Sequence, residues 1–304
     1  MSDRNMGNVD TSQVIGIDLG GTAIKLGRFT QDGSCLQSLT IATPQPAIPS
    51  AVVEVILDAI SLIDPQSYSK AIGVGTPGPV DATGRIAVVA INLSNWHDVP
   101  LADLLEAKLN LPTLLANDAN CAGLGEYWLG AGKQFQNLIL ITLGTGVGGA
   151  IILDGKLFTG HRGAAGELGL ITLKPDGHKC NSGNQGSLEQ YASVPAIRRC
   201  TGLEPHELGA LASSGDEKAL TFWHEYGKDL GAGLASLIYV LTPEAIAIGG
   251  GVGASFEFFL PSMQAEIERR VLPSSREGLQ ILRAQLGNQA GMVGAAKLAL
   301  SLLR

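Results

Sequence analysis

The chain has 304 residues, 45% hydrophobic and 16% charged, which allows one large or two modest globular domains and argues against disorder. Its formal net charge of −7 leaves no basic footprint for nucleic acid or an anionic membrane surface. No apolar run approaches the roughly 18 residues of a membrane span. The opening MSDRNMGNVDTSQ is polar, and the four cysteines (Cys35, Cys121, Cys180, Cys200) lack framework spacing, so reduced thiols in a cytoplasmic protein are expected.

Val14–Leu19 is an apolar run that ends in Asp-Leu-Gly-Gly-Thr, and Ala23–Phe29 alternates after it, which predicts strand, glycine turn, strand. Residues 51–63 have helical periodicity. Ala71–Val74 reads as a short buried strand stopped by the turn Thr76-Pro77-Gly78-Pro79. A helix is expected over Leu101–Lys108 and a strand over Thr113–Ala116, ending in Asn117-Asp118 with a helix from about Ala119. The opening pattern then recurs as strand Leu138–Leu143, turn 144–149 and strand Ala150–Leu153, which leads to an Asp154-Gly155 hairpin. This recurrence suggests a duplicated architecture. A long helix over 222–241, a strand Ala245–Ile248, the loop Gly249-Gly250-Gly251 opening another helix, a strand Leu279–Ala284 and a helix Ala290–Leu303 complete an α/β pattern.

Glycine makes up 40 of the 304 residues, about twice its usual share of roughly 7%, and clusters where apolar runs end. In Asp18-Leu19-Gly20-Gly21-Thr22-Ala23-Ile24-Lys25 the glycines can offer bare N–H groups to a phosphate, and Thr22 can donate to the same oxygens. Asp18 can hold Mg²⁺ through water, and Lys25 can add positive charge. Gly144-Thr145-Gly146-Val147-Gly148-Gly149 satisfies G-x-G-x-x-G, but a strand follows where a dinucleotide fold needs a helix, so a phosphate hairpin is expected instead. Gly249-Gly250-Gly251 is either a tight helix start or a bare surface for a nucleoside. Asn117-Asp118 lies at the carboxyl end of a strand, where a carboxylate can take the proton of an attacking hydroxyl; both residue types also suit a helix N-cap. Glu167 and Glu189 are further acids that local sequence alone would leave as solvated surface groups.

D-L-G-G-T-x-x-K at 18–25, T-P-G at 76–78, N-D-A-N at 117–120, G-T-G-V-G-G at 144–149, R-G-A-A-G-E-L-G at 162–169 and G-G-G at 249–251 occur in order, and over residues 14–298 the chain resembles the ROK family of sugar kinases and repressors. The resemblance implies a two-lobed actin-like ATPase fold (ASKHA, ribonuclease H-like) with a cleft between the lobes. Residues 1–116 with the helix 291–304 would form the small lobe, and 117–290 the large one. It implies Asp118 as the base that deprotonates a sugar hydroxyl, and Gly78, Asn92, Asn117, Glu167 and Glu189 as sugar ligands. Asp18, Gly20, Gly21, Thr22, Lys25, Thr145 and Gly146 would face the phosphates and Mg²⁺ of ATP, with Gly250 and Gly251 near the adenosine. Asn92-Leu93 with Trp96 resembles the glucokinase branch.

The family's zinc site uses one histidine and three cysteines, and those positions read Leu170, Cys180, Ser182 and Ser187 here. No zinc is therefore expected, even with His178 nearby. The implied reaction is phosphoryl transfer from ATP to the 6-hydroxyl of glucose. N-acetylmannosamine, N-acetylglucosamine and fructose are other acceptors, and polyphosphate is another donor. A homodimer without nucleic-acid or membrane partners is the implied assembly. Two other classes are a sugar-responsive regulator, which would carry a helix-turn-helix ahead of a strand that here starts at Val14, and an actin- or chaperone-like ATPase without a sugar acceptor. The R-G-A-A-G-E context and Glu189 oppose the latter.

Overall fold

The computed structural model describes residues 12–90 and 92–303; the polar opening segment through Thr11, Ile91 and Arg304 lie outside the described residues. In chain order the elements are β1 (Gln13–Leu19), β2 (Ala23–Thr30), β3 (Cys35–Ala42), α1 (Pro49–Ile63), β4 (Ser69–Thr76), β5 (Ala87–Val89), β6 (His97–Val99), α2 (Leu101–Leu109), β7 (Thr113–Asn117) and α3 (Asp118–Trp128). Then come β8 (Leu138–Leu143), β9 (Val147–Leu153), β10 (Lys156–Leu157), α4 (Glu189–Ala192), α5 (Val194–Thr201), α6 (Pro205–Ser213) and α7 (Glu217–Leu241). β11 (Ala245–Gly249), α8 (Phe256–Arg270), α9 (Pro273–Arg276), β12 (Gln280–Arg283) and α10 (Ala290–Leu300) complete the chain. Two compact units result: one runs up to Cys121 and resumes at Gly291, and the other is Ala122–Ala290.

Each unit is built on a five-stranded mixed sheet of one design. In the first the order is β3-β2-β1-β4-β7, with β1–β2–β3 antiparallel and β1–β4–β7 parallel. In the second it is β10-β9-β8-β11-β12, with β8–β9–β10 antiparallel and β8–β11–β12 parallel. The repeated strand–turn–strand pattern is thus a repeated topology. The central strands read as near-continuous apolar runs because helices cover both faces: Val14, Ile15 and Ile17 in β1 and Ala71, Ile72 and Val74 in β4 are fully buried.

Local chemistry sets most boundaries. Pro49 opens α1, its ring already holding the helical φ. Asp64 follows it and accepts from the Tyr68 and Ser69 N–H groups, with Arg28 as its ion-pair partner at 3.3 Å. Asp216 caps α7 by accepting from Ala219 N at 2.8 Å, so that helix starts at Glu217, five residues before the position expected from apolar periodicity. Asp154 and Gly155 both have positive φ, the backbone of a two-residue turn whose twist suits β9–β10.

Three further expectations change. The turn read over 144–149 is shorter: β9 already starts at Val147, and Gly148 and Gly149 pair with Thr142 and Ile141. The loop expected at 249–251 begins one residue later, with Gly249 inside β11, and opens first onto a 3-10 turn, Gly251–Ser255, ahead of α8. The last helix stops at Leu300 and tightens to a 3-10 turn over Ser301–Leu303.

The first unit's core joins Ile15, Ile17 and Leu26 of the sheet to Val52 and Ile56 of α1 and Leu101 and Leu105 of α2. The second is centred on α7 and α8, where Trp223, Tyr226 and Phe259 pack with ring centroids 5.3–5.9 Å apart. Tyr226 is fully enclosed, and its hydroxyl donates to Ala192 O at 2.7 Å, which satisfies it. Among the described residues no helix is long and apolar enough to cross a membrane.

Candidate active site

In the first unit, Asp18 sits near the end of β1, directly opposite Lys25 on β2, and Lys25 Nζ reaches Asp18 Oδ2 at 3.1 Å. The lysine charge is therefore matched by a carboxylate. The carbonyls of the adjoining turn are drawn to one side: Thr43 Oγ1 donates to Gly20 O at 2.6 Å, Gln45 Nε2 to Gly21 O at 3.5 Å, and Thr43 N to Thr22 O at 3.0 Å. Across a trans peptide the next N–H points the opposite way, so the N–H groups of Gly21, Thr22 and Ala23 face away from Thr43 and Gln45. Those N–H groups are donors that an anion could use. Asn92 is exposed beside this turn, since a Cβ on Gly21 would lie 3.3 Å from Asn92 Cβ. The first turn of α10 abuts Asp18, a Cβ on Gly291 falling 2.9 Å from its carboxyl carbon.

The helix-cap ambiguity at Asn117-Asp118 resolves into a division of labour. Asn117 Oδ1 accepts from Ala119 N at 2.9 Å and Asn120 N at 3.3 Å, so Asn117 is the cap. Its amide donates to Gly78 O at 3.1 Å. Gly78 holds φ +78°, and a Cβ there would lie 1.9 Å from Val89 O, so no other residue fits this approach. Asp118 Oδ1 accepts from Ala119 N at 2.8 Å, and the residue is exposed. Desolvation by the surrounding protein raises its pKa above the ordinary aspartate value; the Ala119 N–H opposes this, and the negative charge of Asp18 adds to it. Cys121, one turn on, is wholly buried against Gly75, and burial pushes its thiol pKa well up, which disfavours the thiolate.

In the second unit the loop between β8 and β9 is Gly144-Thr145-Gly146, closed by the Leu143–Val147 pair. Val194 N donates to Gly144 O at 2.8 Å, which turns the Thr145 N–H outward by the same peptide geometry. Glu189, the first residue of α4, is half-buried and engaged with this loop: its Oε2 accepts from Val147 N at 3.0 Å. A Cβ on Gly146 would lie 2.6 Å from that same oxygen. Glu189 is thus the latch of the glycine loop. Gly146→Ala is expected to push the carboxylate off the Val147 N–H, seen as amide exchange at Val147 faster by about tenfold or more; unchanged exchange would refute the latch.

Gly250 brings the end of β11 against the same loop, with φ +82° and a Cβ position 2.3 Å from Leu143 O. Gly251 next to it meets nothing within 4 Å on its Cβ side among the described residues, an open backbone face. Glu167 is exposed and precedes the 3-10 turn Leu168–Leu170. The structure therefore gathers Asp18, Gly20–Lys25, Gly78, Asn92, Asn117 and Asp118 in one unit, and Thr145, Gly146, Glu189, Gly250 and Gly251 in the other. Sequence reasoning missed Thr43 and Gln45, which aim the first glycine turn; β3, the strand that leads to them, is a mostly exposed edge with little apolar signal.

The zinc frame fails on its donors. Leu170 offers none, Ser182 Oγ donates to Cys180 Sγ at 3.2 Å, and Ser187 is fully buried with a hydroxyl where a thiolate would stand.

The model of the ROK family matches residues 14–301. The chain is 36% identical to a glucokinase of Streptomyces coelicolor over 309 positions, 94% of this chain and 96% of that protein. Among solved structures it resembles a ROK family glucokinase from Streptomyces griseus in complex with glucose and AMPPNP (TM-score 0.79, 36% identity, 95% of this chain and 100% of that one). It also resembles a ROK hexokinase from Thermus thermophilus (TM-score 0.85, 33% identity, 96% and 99%). The α/β architecture is accordingly the actin-like ATPase fold. With the ordered motifs, the duplicated sheets and these likenesses covering nearly its whole length, the chain belongs to the ROK family.

Proposed function

We propose that this chain is an ATP-dependent glucokinase, transferring the γ-phosphoryl group of ATP to the 6-hydroxyl of glucose with Asp118 as general base. The observation that carries this reading is the start of α3, where Asn117 takes the capping role and Asp118 keeps an accessible carboxyl of raised proton affinity. In the reaction the hydroxyl proton passes to the Asp118 carboxylate as the sugar oxygen bonds to the γ-phosphorus. The bond from that phosphorus to the β–γ bridging oxygen breaks, and ADP leaves.

The outward N–H groups of Gly21, Thr22 and Thr145 would take up phosphate charge, with Gly20 shaping the first turn and Gly146 the second. Asp18 would hold Mg²⁺ through water, and the ion supplies charge neutralisation on the phosphates. Lys25 engages Asp18 Oδ2, and a carboxylate has a second oxygen to offer a metal-bound water. Gly250 and Gly251 would lie against the adenosine. Gly78, Asn92, Asn117, Glu167 and Glu189 would bind the remaining sugar hydroxyls. The ligands of the Streptomyces griseus glucokinase support this acceptor and this donor class. A homodimer and a cytoplasmic location belong to the same reading.

The experiment is a panel of glucose, fructose, N-acetylmannosamine and N-acetylglucosamine against ATP and polyphosphate, with the phosphorylated sugar quantified. Glucose with ATP is expected to give the highest kcat/KM. A higher value for an amino sugar, or for polyphosphate, would replace the acceptor or the donor in this reading.

A further inference from the structure

In the ROK frame a metal joins residue 170 to the hairpin 180–187, and here those positions cannot form a donor set. Backbone contacts already run along the stretch between: the bridges Thr172–Ser187 and Lys179–Gln185, the bonds of Leu173 N and Lys174 N to Gly186 O at 2.8 and 3.0 Å, and that of Gly186 N to His178 O at 2.8 Å. A side chain can add a tie at the metal's own position. Asn184 does so at the same junction. Its Nδ2 donates to Leu170 O at 2.9 Å and to Thr172 Oγ1 at 3.2 Å, while its Oδ1 accepts from Gln185 N at 2.8 Å. Its backbone closes the hairpin, with Cys180 N donating to Asn184 O at 2.9 Å. Gln185 Nε2 adds a bond to Gly177 O at 3.0 Å. Leu188 N then donates to Ile171 O at 2.9 Å, which carries the joined segments directly into Glu189.

We propose that this side-chain clasp has taken over the joining role of the metal, so that the segment folds without zinc and Asn184 is a positioning residue for Glu167 and Glu189. Asn184 touches neither reacting group. It fixes the carbonyl of Leu170, three residues after Glu167, to the hairpin that ends just before Glu189. The kinetic part of this inference rests on the glucokinase reading; its folding part does not.

Two arms of the test need no catalysis. The purified chain is expected to carry zinc far below one atom per molecule, and to melt at the same temperature with and without EDTA. Cys180→Ser is expected to leave both melting and the glucose KM unchanged. In the kinetic arm, Asn184→Ala and Asn184→Asp, which both lose the donor to Leu170 O, raise the glucose KM by about five- to tenfold with a smaller change in kcat. Near-stoichiometric zinc, a chelator-sensitive melt, or a Cys180→Ser chain as damaged as Asn184→Ala would overturn the proposal. So would an unchanged KM in both Asn184 variants. If Asn184→Ala does not fold, the aspartate variant and the metal arms still decide, and a chain inactive on every hexose leaves the folding arms readable.

Discussion

Asp118→Asn is expected to lower kcat by roughly 10²–10⁴-fold, the usual span for loss of a general base, with the melting temperature unchanged. The substitution is nearly isosteric, and its amide oxygen still accepts from Ala119 N, so the start of α3 survives. The cap itself belongs to Asn117 and is untouched. Only the proton-accepting function is removed. In the native chain the base must be ionised, and its pKa is raised by desolvation and by Asp18. As pH falls through that raised value Asp118 protonates and kcat/KM drops, so the acid limb lies above that of an ordinary aspartate near 3.9. Asp18→Asn removes one of the raising charges and shifts the limb to lower pH. A steady-state profile of both proteins measures this; an acid limb that stays in place in Asp18→Asn contradicts the coupling, and near-normal turnover in folded Asp118→Asn contradicts the base.

The second large effect concerns stability. α10 lies on the first unit's sheet at backbone contact: a Cβ on Gly73 of β4 would fall 1.9 Å from Ala295 O, and one on Gly16 of β1 would fall 2.2 Å from Met292 O. Neither obstacle is a side chain that can swing aside, so Gly73→Ala must push helix from sheet. The expected cost is about 1–3 kcal/mol or more, read as a lower urea midpoint. Gly253→Ala is the control, because its nearest contact would be an ordinary 3.6 Å, and it is expected to change stability by only about 0.5 kcal/mol or less. The displacement also reaches the site, since Gly291 at the start of α10 abuts Asp18. Equal midpoints for the two variants would show that the α10 contact is softer than the backbone approach implies.

The parts of the fold legible in the sequence were those written in apolar runs cut by glycine. β1, β8 and β11 are legible because buried central strands are nearly continuous apolar runs, and β2 because its apolar residues alternate with polar ones. Glycines misled where they serve packing instead of turning. Gly149 reads as turn from sequence but pairs with Ile141 inside β9, and it is glycine because a Cβ there would meet Leu168 at 2.5 Å. Edge strand β3 carried too little buried surface to register, and Thr43 and Gln45 were lost with it. At the site, two adjacent residues with equal capping ability left Asn117 and Asp118 indistinguishable, and only the bonds of Asn117 Oδ1 separate them. The Glu189 latch joins residues 42 apart, beyond any local pattern. The Asn184 clasp leaves no local pattern either, because it joins residues 14 apart through a side chain that belongs to no motif.

Whether the chain moves phosphate onto the 6-hydroxyl of a sugar is tested most directly by ADP release from Mg-ATP with glucose or 6-deoxyglucose as acceptor. Release that requires glucose, matches glucose 6-phosphate formed one for one, and is absent with 6-deoxyglucose is the predicted result. ADP released at the same rate with either sugar, or with none, would contradict it and make the chain an ATPase instead of a hexose kinase.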